Sequence, residues 1–464
     1  MNQNTTKNPL GYEPLPSLLK KFAVPSIIAM LVSSLYNIVD QLFIGQGVGY
    51  LGNAATNVAY PLTTICLAIA LMIGIGSSSV FSLKLGAKNE EEAAHTVGNA
   101  IVLMLGCGIV YTVLIQIFLK PLLMIFGSTP DVLPYAESYT GITAWGMPLL
   151  IATNGMSNLA RADGSPKYSM MCMLAGAAVN TVLDPVFIFT FDLGVAGAAY
   201  ATVIGQFVSF VLAINYARHL KHVWLNRRHF RLSRAICFQI MSLGMSSALN
   251  QLAITFVQIV LNNSLTYYGA QSVYGKEIPL ACCGIVMKVN AILLAVIIGI
   301  SQGSQPIIGF NYGAKQYDRV RGIYKLAIRC NLIVSAVGFL MFQLFPAQIV
   351  GLFGDKGNEM YMQFAVQFMR IFLFMVLVNG VQLISSNFFA AIGKPVKGAV
   401  LSLTRQVIFL VPLLLILPVW FGMKGIMFAA PLADFLAFVT TMILICSEMK
   451  KMRELEISEQ NRVI

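Results

Sequence analysis

Twelve apolar runs constrain this chain more than anything else in it. Each is long enough, at about 20 residues, to cross a hydrocarbon layer as a helix. A chain inside lipid has few alternatives, because its peptide groups must find hydrogen-bond partners within the structure rather than in water. The runs fall at 22–46, 53–83, 97–119, 133–158, 168–190 and 195–217, then at 236–268, 278–310, 322–345, 361–389, 397–417 and 424–446. Composition agrees, since 11% of residues are charged against roughly 25% in soluble domains. The first twenty residues lack an apolar stretch followed by a small-residue cleavage site, so the first run is expected to be a permanent span.

A basic connection, Arg218 to Arg234, divides the runs into two sets of six. Three loops repeat across it: LGAKNEEEA (85–93) with YGAKQYDRV (312–320), DGSPK (163–167) with IGKPV (392–396), and LGVAGAAYATVIGQF (193–207) with FGMKGIMFAAPLADF (421–435). The offsets are 227, 229 and 228 residues, which signals a duplicated unit. Six is even, so both copies enter the membrane from the same side and are related by an axis along its normal, with a cavity expected between them. The expected fold class is therefore an all-α integral membrane protein, twelve transmembrane helices in two six-helix pseudo-symmetric bundles. Its parts are an N-lobe at 1–217, a basic linker at 218–235 and a C-lobe at 236–464.

The net charge of +12 is an orientation signal rather than a sign of nucleic acid. With both termini inside, 23 basic residues lie on the inner side and four, Lys120, Lys276, Lys356 and Lys424, on the outer. That bias satisfies the positive-inside rule. The eight cysteines lie in or beside apolar runs without metal-ligand spacing, and read as small buried hydrophobes. In the short loops, Asn89 and Glu92 have the spacing of a capping box for the third helix.

Only three acids sit deep in spans: Asp40, Asp184 and Asp434. An ionisable group there is costly and points to function. By helical rise, Asp40 and Asp184 each lie about 9 Å from the outer end of their helices, and Tyr139 and Thr202 about 10 Å. Tyr36 and Asn180 stand four residues before Asp40 and Asp184, on the same helix faces. Singly, Tyr36, Tyr139 and Thr202 read equally well as hydrogen bonds between helices. Two acids at one level with no basic residue beside them call for a cation. Close carboxyl groups resist ionising together, so the pair can hold a proton; with Asn180 and Thr202 the same oxygens could instead coordinate sodium. Pro25 and Pro185 remove backbone hydrogen bonds and are candidate hinges, although Pro25 also fits a simple helix-entry kink. In the second half, Arg405 and Asp434 lie about 12 and 18 Å from the inner face and are expected to form a structural ion pair, while Lys288, Arg329 and Arg370 are expected to snorkel.

PSIIAMLVSSLYNIVDQLFIG (25–45), LGAKN (85–89), ARADGSPK (160–167) and VLDPVFIFTFDLGVAGAAYAT (182–202) together resemble the multidrug and toxic compound extrusion (MATE) transporters, over nearly the whole chain. Within the family the chain is similar to the prokaryotic DinF and MepA type branch. The resemblance implies that Tyr36, Asp40, Tyr139, Asn180, Asp184 and Thr202 form a cation site. It also implies a cation-coupled (H+ or Na+) antiporter that exports bulky, amphipathic, often cationic compounds by alternating access, from a prokaryotic plasma (inner) membrane. Other branches place coupling acids in the seventh and tenth helices; here the seventh has none and the tenth offers Arg370.

The 23 methionines and 29 phenylalanines suggest an adaptable cavity wall, for which Asn154, Met173, Met287, Asn290 and Met375 are candidates. The expected partners are small-molecule drugs or metabolites and the bilayer, with no nucleic acid, and a monomer is expected. No cofactor, metal site or catalytic residue is expected beyond the coupling ion. The alternative reading is a flippase or exporter of an endogenous metabolite or lipid-linked substrate. An enzyme is disfavoured, because no HExxH or GxSxG motif occurs.

Overall fold

The computed structural model describes residues 8–353 and 359–463. Lys7 and Lys356, both counted above for orientation, lie outside the described residues. The first six long helices are α1 Leu15–Gly47, α2 Tyr50–Gly86, α3 Glu90–Ile117, α4 Leu133–Ala162, α5 Pro166–Pro185 and α6 Gly194–Tyr216. Then come α7 Arg234–Ala270, α8 Glu277–Gly313 and α9 Tyr317–Leu344. In α10 two segments, Glu359–Phe372 and Val376–Ala391, meet at a bend of 49°. Next is α11, Pro395–Phe421, and last α12, Met423–Val463. No strand occurs among the described residues.

Among the described residues, ten of the helices are long and apolar enough to cross a membrane, and eleven if bent α10 is one span. The remaining one, α4, is 30 residues long but more polar, which accords with its burying Thr140, Thr153, Ser157, Asn158 and Arg161 inside the bundle. The twelve expected runs thus map onto twelve helices. The bend in α10 was not expected, and no proline or glycine marks it.

The repeat is visible in backbone angles. Lys88 and Lys315 have φ of 61° and 59°, Gly164 and Gly393 of 82° and 78°, and Gly194 and Gly422 of 54° and 56°. These are the three matched loops, and a left-handed residue at each reverses the chain in the same way in both halves. The capping box is half realised. The Asn89 side chain accepts from the Glu92 N–H at 3.1 Å, but the Glu92 carboxylate turns to Lys84 instead.

The two halves are joined at one end of the bundle, here the near end, which holds the start of α1, the end of α2 and the connection after α6. The N-half and the near part of the C-half share one apolar core that runs from Leu10 to Met452. The far part of the C-half has a core of its own, around Leu261, Phe364, Phe368 and Leu414. Glycines allow the near-end contacts. A Cβ on Gly76 of α2 would stand 1.9 Å from the Ile240 carbonyl oxygen, and one on Gly244 of α7 would stand 1.7 Å from that of Met72. Gly299 and Gly303 of α8 face the backbones of Ile27 and Ala23 of α1, each at 2.6 Å from the missing Cβ. This is small-residue packing of membrane helices. Gln305 donates to Ser79 (2.8 Å) and Asn311 to the Leu10 carbonyl (2.9 Å) across the same seam.

The connection between the halves is strapped to the N-half. Asp163, fully buried after α4, accepts from the Tyr216 hydroxyl (2.8 Å), the Lys221 N–H (2.6 Å) and the His222 N–H (3.2 Å), with His222 Nδ1 at 2.9 Å. Asn99 of α3 donates to the carbonyls of His229 (3.2 Å) and Arg231 (3.1 Å) and accepts from the Ser233 N–H (2.7 Å).

Candidate functional site

In the N-half, α5 and α6 cross where two glycines face each other. A Cβ on Gly205 would meet the Gly176 carbonyl oxygen at 2.7 Å and Asn180 Cβ at 3.0 Å. That crossing sets Thr202 against Asn180. The amide nitrogen of Asn180 donates at 3.3 Å to Asp184 Oδ1 and to the Thr202 hydroxyl. Turning the amide over lets its oxygen accept from the Thr202 N–H at 3.2 Å while its nitrogen still faces Asp184. In both orientations a donor points at the carboxyl group of Asp184, which is fully buried.

From α1, the Asp40 side chain comes beside that of Asp184, and the phenols of Tyr36 and Tyr139 lie within electrostatic range of both acids. Two neighbouring carboxyl groups repel when both are charged. Asp40 Oδ1 is buried and has no hydrogen-bond partner among the described residues. Nor is there an ion pair to either acid among those residues. Ile44, Ile188 and Ala198, packed with Phe43 and Tyr139, form a small apolar cluster one turn farther out on these helices. The structure thus brings all six residues expected of the cation site into one neighbourhood.

The two prolines differ. Pro185 ends the regular part of α5, and a π-helical turn, Val186–Thr190, follows it at once, with the Phe191 N–H bonded to the Val186 carbonyl at 3.0 Å. In the other half, α11 carries a π-helical stretch at Thr404–Leu410. Such turns are locally wide and often mark functional positions. Helix α1 runs unbroken through Pro25, whose neighbours Ala23 and Ile27 are the contacts of Gly303 and Gly299.

A cavity of 200 Å³ lies in the C-half, bounded on one side by Leu71 and Ile75 of α2. Met287 and Asn290 line it, as expected. Asn154, Met173 and Met375 do not line it. Asn154 and Met173 belong to the N-half, where the Asn154 amide is spent on the Leu150 carbonyl (2.9 Å), and Met375 sits at the bend of α10. The wall is also not the methionine and phenylalanine surface expected. It holds one of each, Met287 and Phe372, against nine amide side chains, among them Asn250, Gln258, Asn379 and Gln406. Arg405 and Asp434 form the expected ion pair, Nε to Oδ1 at 2.5 Å, and both also line this cavity.

Two six-helix halves joined at one end, with an acid cluster in one and a cavity of mixed apolar and amide lining in the other, have the architecture of a membrane transporter. The MatE family matches residues 25–186 and 246–416, and the chain belongs to that family. It is 24% identical over 433 residues to a Multidrug export protein MepA of Staphylococcus aureus, covering 93% of this chain and 94% of that one. It is likewise 24% identical over 429 residues to MepA of Staphylococcus saprophyticus, covering 91% and 92%. A MOP superfamily transporter from Pyrococcus furiosus superposes with a TM-score of 0.90 at 22% identity, covering 97% of this chain and 100% of that one. So does a multidrug resistance MATE transporter in an outward-facing conformation, with a TM-score of 0.90, 22% identity and coverage of 97% and 99%. At that identity the likeness shows a shared fold.

Proposed function

We propose that the chain is a cation-coupled antiporter that exports small organic molecules by alternating access, with Asp40 and Asp184 as the coupling acids. The observation that carries this reading is the meeting of fully buried Asp184 on α5 with half-buried Asp40 on α1, with Asn180, Thr202, Tyr36 and Tyr139 around them and no basic partner among the described residues. A proton or a sodium ion entering from the far side satisfies the pair, and its loss on the near side leaves two acids that repel. The ion shifts the conformational equilibrium only by its difference in affinity for the two states. Pro185 and the π-helical turn after it give α5 a place to bend between them.

The basic bias of the connections supports a plasma (inner) membrane location with both termini in the cytoplasm. On that orientation the near end is cytoplasmic and the sealed seam describes an outward-facing form. The multidrug names of the staphylococcal relatives support a cargo of drugs or similar metabolites, with the C-half cavity as its place. A flippase of lipid-linked pyrophosphates would want a cationic cavity, whereas this wall has one arginine and that arginine is paired.

The test is efflux from vesicles under imposed pH or sodium gradients. Asp184→Asn is expected to abolish gradient-driven efflux while leaving the protein folded, and the gradient that drives the wild type identifies the ion. Undiminished driven efflux in Asp184→Asn would sink the mechanism.

A further inference from the structure

The C-half cavity presents unmet hydrogen-bonding groups of two kinds. Arg405 uses its Nε on Asp434, and its two terminal nitrogens have no hydrogen-bond partner among the described residues. Asn290 Oδ1 and Gln302 Oε1 are acceptors without a donor there, on residues only 7% and 6% exposed. All of these residues lie on the cavity wall. A buried acceptor without a donor is unfavourable, so the two amide oxygens each call for a donor, while the open terminal nitrogens of Arg405 offer a place for an anionic oxygen pair.

Depth puts two of them at one level. Arg405 is ten residues from the start of α11 and Gln302 eleven from the end of α8, so both lie about 15–16 Å from the near end by helical rise. Asn290 stands twelve residues farther along α8, about 18 Å away, within range of an elongated ligand only. The charge balance narrows the choice further. Among the described residues, Arg405 and Asp434 are the only charged ones on the wall, and together they are neutral. A ligand of net charge would leave an uncompensated charge in a low-dielectric interior. A lipophilic cation finds no free carboxylate, because Asp434 is held by Arg405.

We propose that this cavity takes polar zwitterions of the amino acid or short peptide type. The planar fork of Arg405 receives the carboxylate through its two terminal nitrogens, a geometry suited to bidentate pairing. The ammonium group donates to Gln302 Oε1, and longer molecules reach Asn290. This assigns a cargo class to the exporter proposed above; it rests on that reading for the direction of movement and is independent of it for binding.

The test is calorimetric titration of the protein in nanodiscs with three probes on one scaffold: the zwitterionic dipeptide alanyl-phenylalanine, its cationic C-terminal amide and its anionic N-acetyl derivative. The expected result is saturable binding of the dipeptide, at least about tenfold tighter than either derivative. Gln302→Leu is expected to weaken the dipeptide while leaving the N-acetyl derivative unchanged. Arg405→Gln alone strands Asp434 and can fail to fold, so the deciding variant is Arg405→Gln with Asp434→Asn, which keeps the wall neutral and is expected to lose the preference for the dipeptide over its amide. Three results overturn the proposal: the amide binding as tightly as the dipeptide, the double variant binding the dipeptide like wild type, or no saturable binding of any probe at millimolar concentration. Asp184→Asn separates the two readings. It is expected to bind the dipeptide normally and to lose driven transport; normal dipeptide binding together with intact driven transport in Asp184→Asn defeats the coupling mechanism and leaves this site standing.

Discussion

Gly76→Ala tests how the two halves move. In the present form a Cβ at Gly76 would stand 1.9 Å from the Ile240 carbonyl oxygen, and under 3.0 Å something must give. Both the added carbon and the oxygen belong to backbone or its first atom, so no rotamer relieves the clash; α2 and α7 must separate by about 1 Å at the crossing. Overpacking of this kind costs about 1–3 kcal/mol, and that cost falls on the conformation in which the near end is closed. A state with the near end open avoids it. The equilibrium is therefore expected to move toward the near-open state by about 5- to 150-fold. The readout is the distance between spin labels at the far end, at Phe191→Cys and Val273→Cys, both exposed in the native chain, in a background without the eight native cysteines. Gly76→Ala is expected to shift this distribution to shorter distances, because in the alternating access proposed above the far end closes as the near one opens. An unchanged distribution with unchanged thermal stability would refute the reasoning, since it would mean that the alanine is accommodated without parting the helices.

Two further outcomes follow from buried charges. Asp163→Ala removes a carboxylate that takes bonds from Tyr216, Lys221 and His222, a loss of about 1–3 kcal/mol; trypsin is expected to cut the basic strap between Arg218 and Arg234 faster than in wild type, and unchanged resistance would show that the contacts of Asn99 and Glu91 suffice to hold it. Asp434→Asn leaves Arg405 without its counter-charge and is expected to lower the amount of folded protein more than the driven transport per molecule; equal expression with abolished coupling would place Asp434 in the coupling machinery.

The spans and the repeat were legible because the membrane leaves a sequence little freedom. An apolar run of this length must be helical, and matched turns need the same left-handed residue, as at Lys88 and Lys315. The acid neighbourhood was legible for a simpler reason: depth follows from counting residues, and Tyr36, Asp40, Asn180 and Asp184 are spaced by single turns. The cavity wall was harder to read. Its amides come from α7, α8, α10 and α11, and only the fold decides that these four helices turn the same polar faces together. A signal was present in Asn379, Gln382 and Ser386, at steps of three and four, and in Gln251 and Gln258, seven apart, all of them on the wall. The clasp on Asp163 rests on contacts 53 to 59 residues away, which no local pattern announces, and the bend in α10 has no breaker residue to mark it.

The neutrality of the Arg405 and Asp434 pair has an electrical consequence. Bound opposite charges travel together, so in the alternating access proposed above the wall of the C-half carries no net current. In the cycle proposed above, the charge moved in each turnover is then that of the ion on Asp40 and Asp184 less that of the cargo. One ion exchanged for one zwitterion moves one elementary charge, which the membrane voltage drives with about 2.3 kcal/mol per 100 mV. One ion exchanged for a monovalent cation moves none, so capacitive currents on a supported membrane distinguish the two kinds of cargo without identifying either.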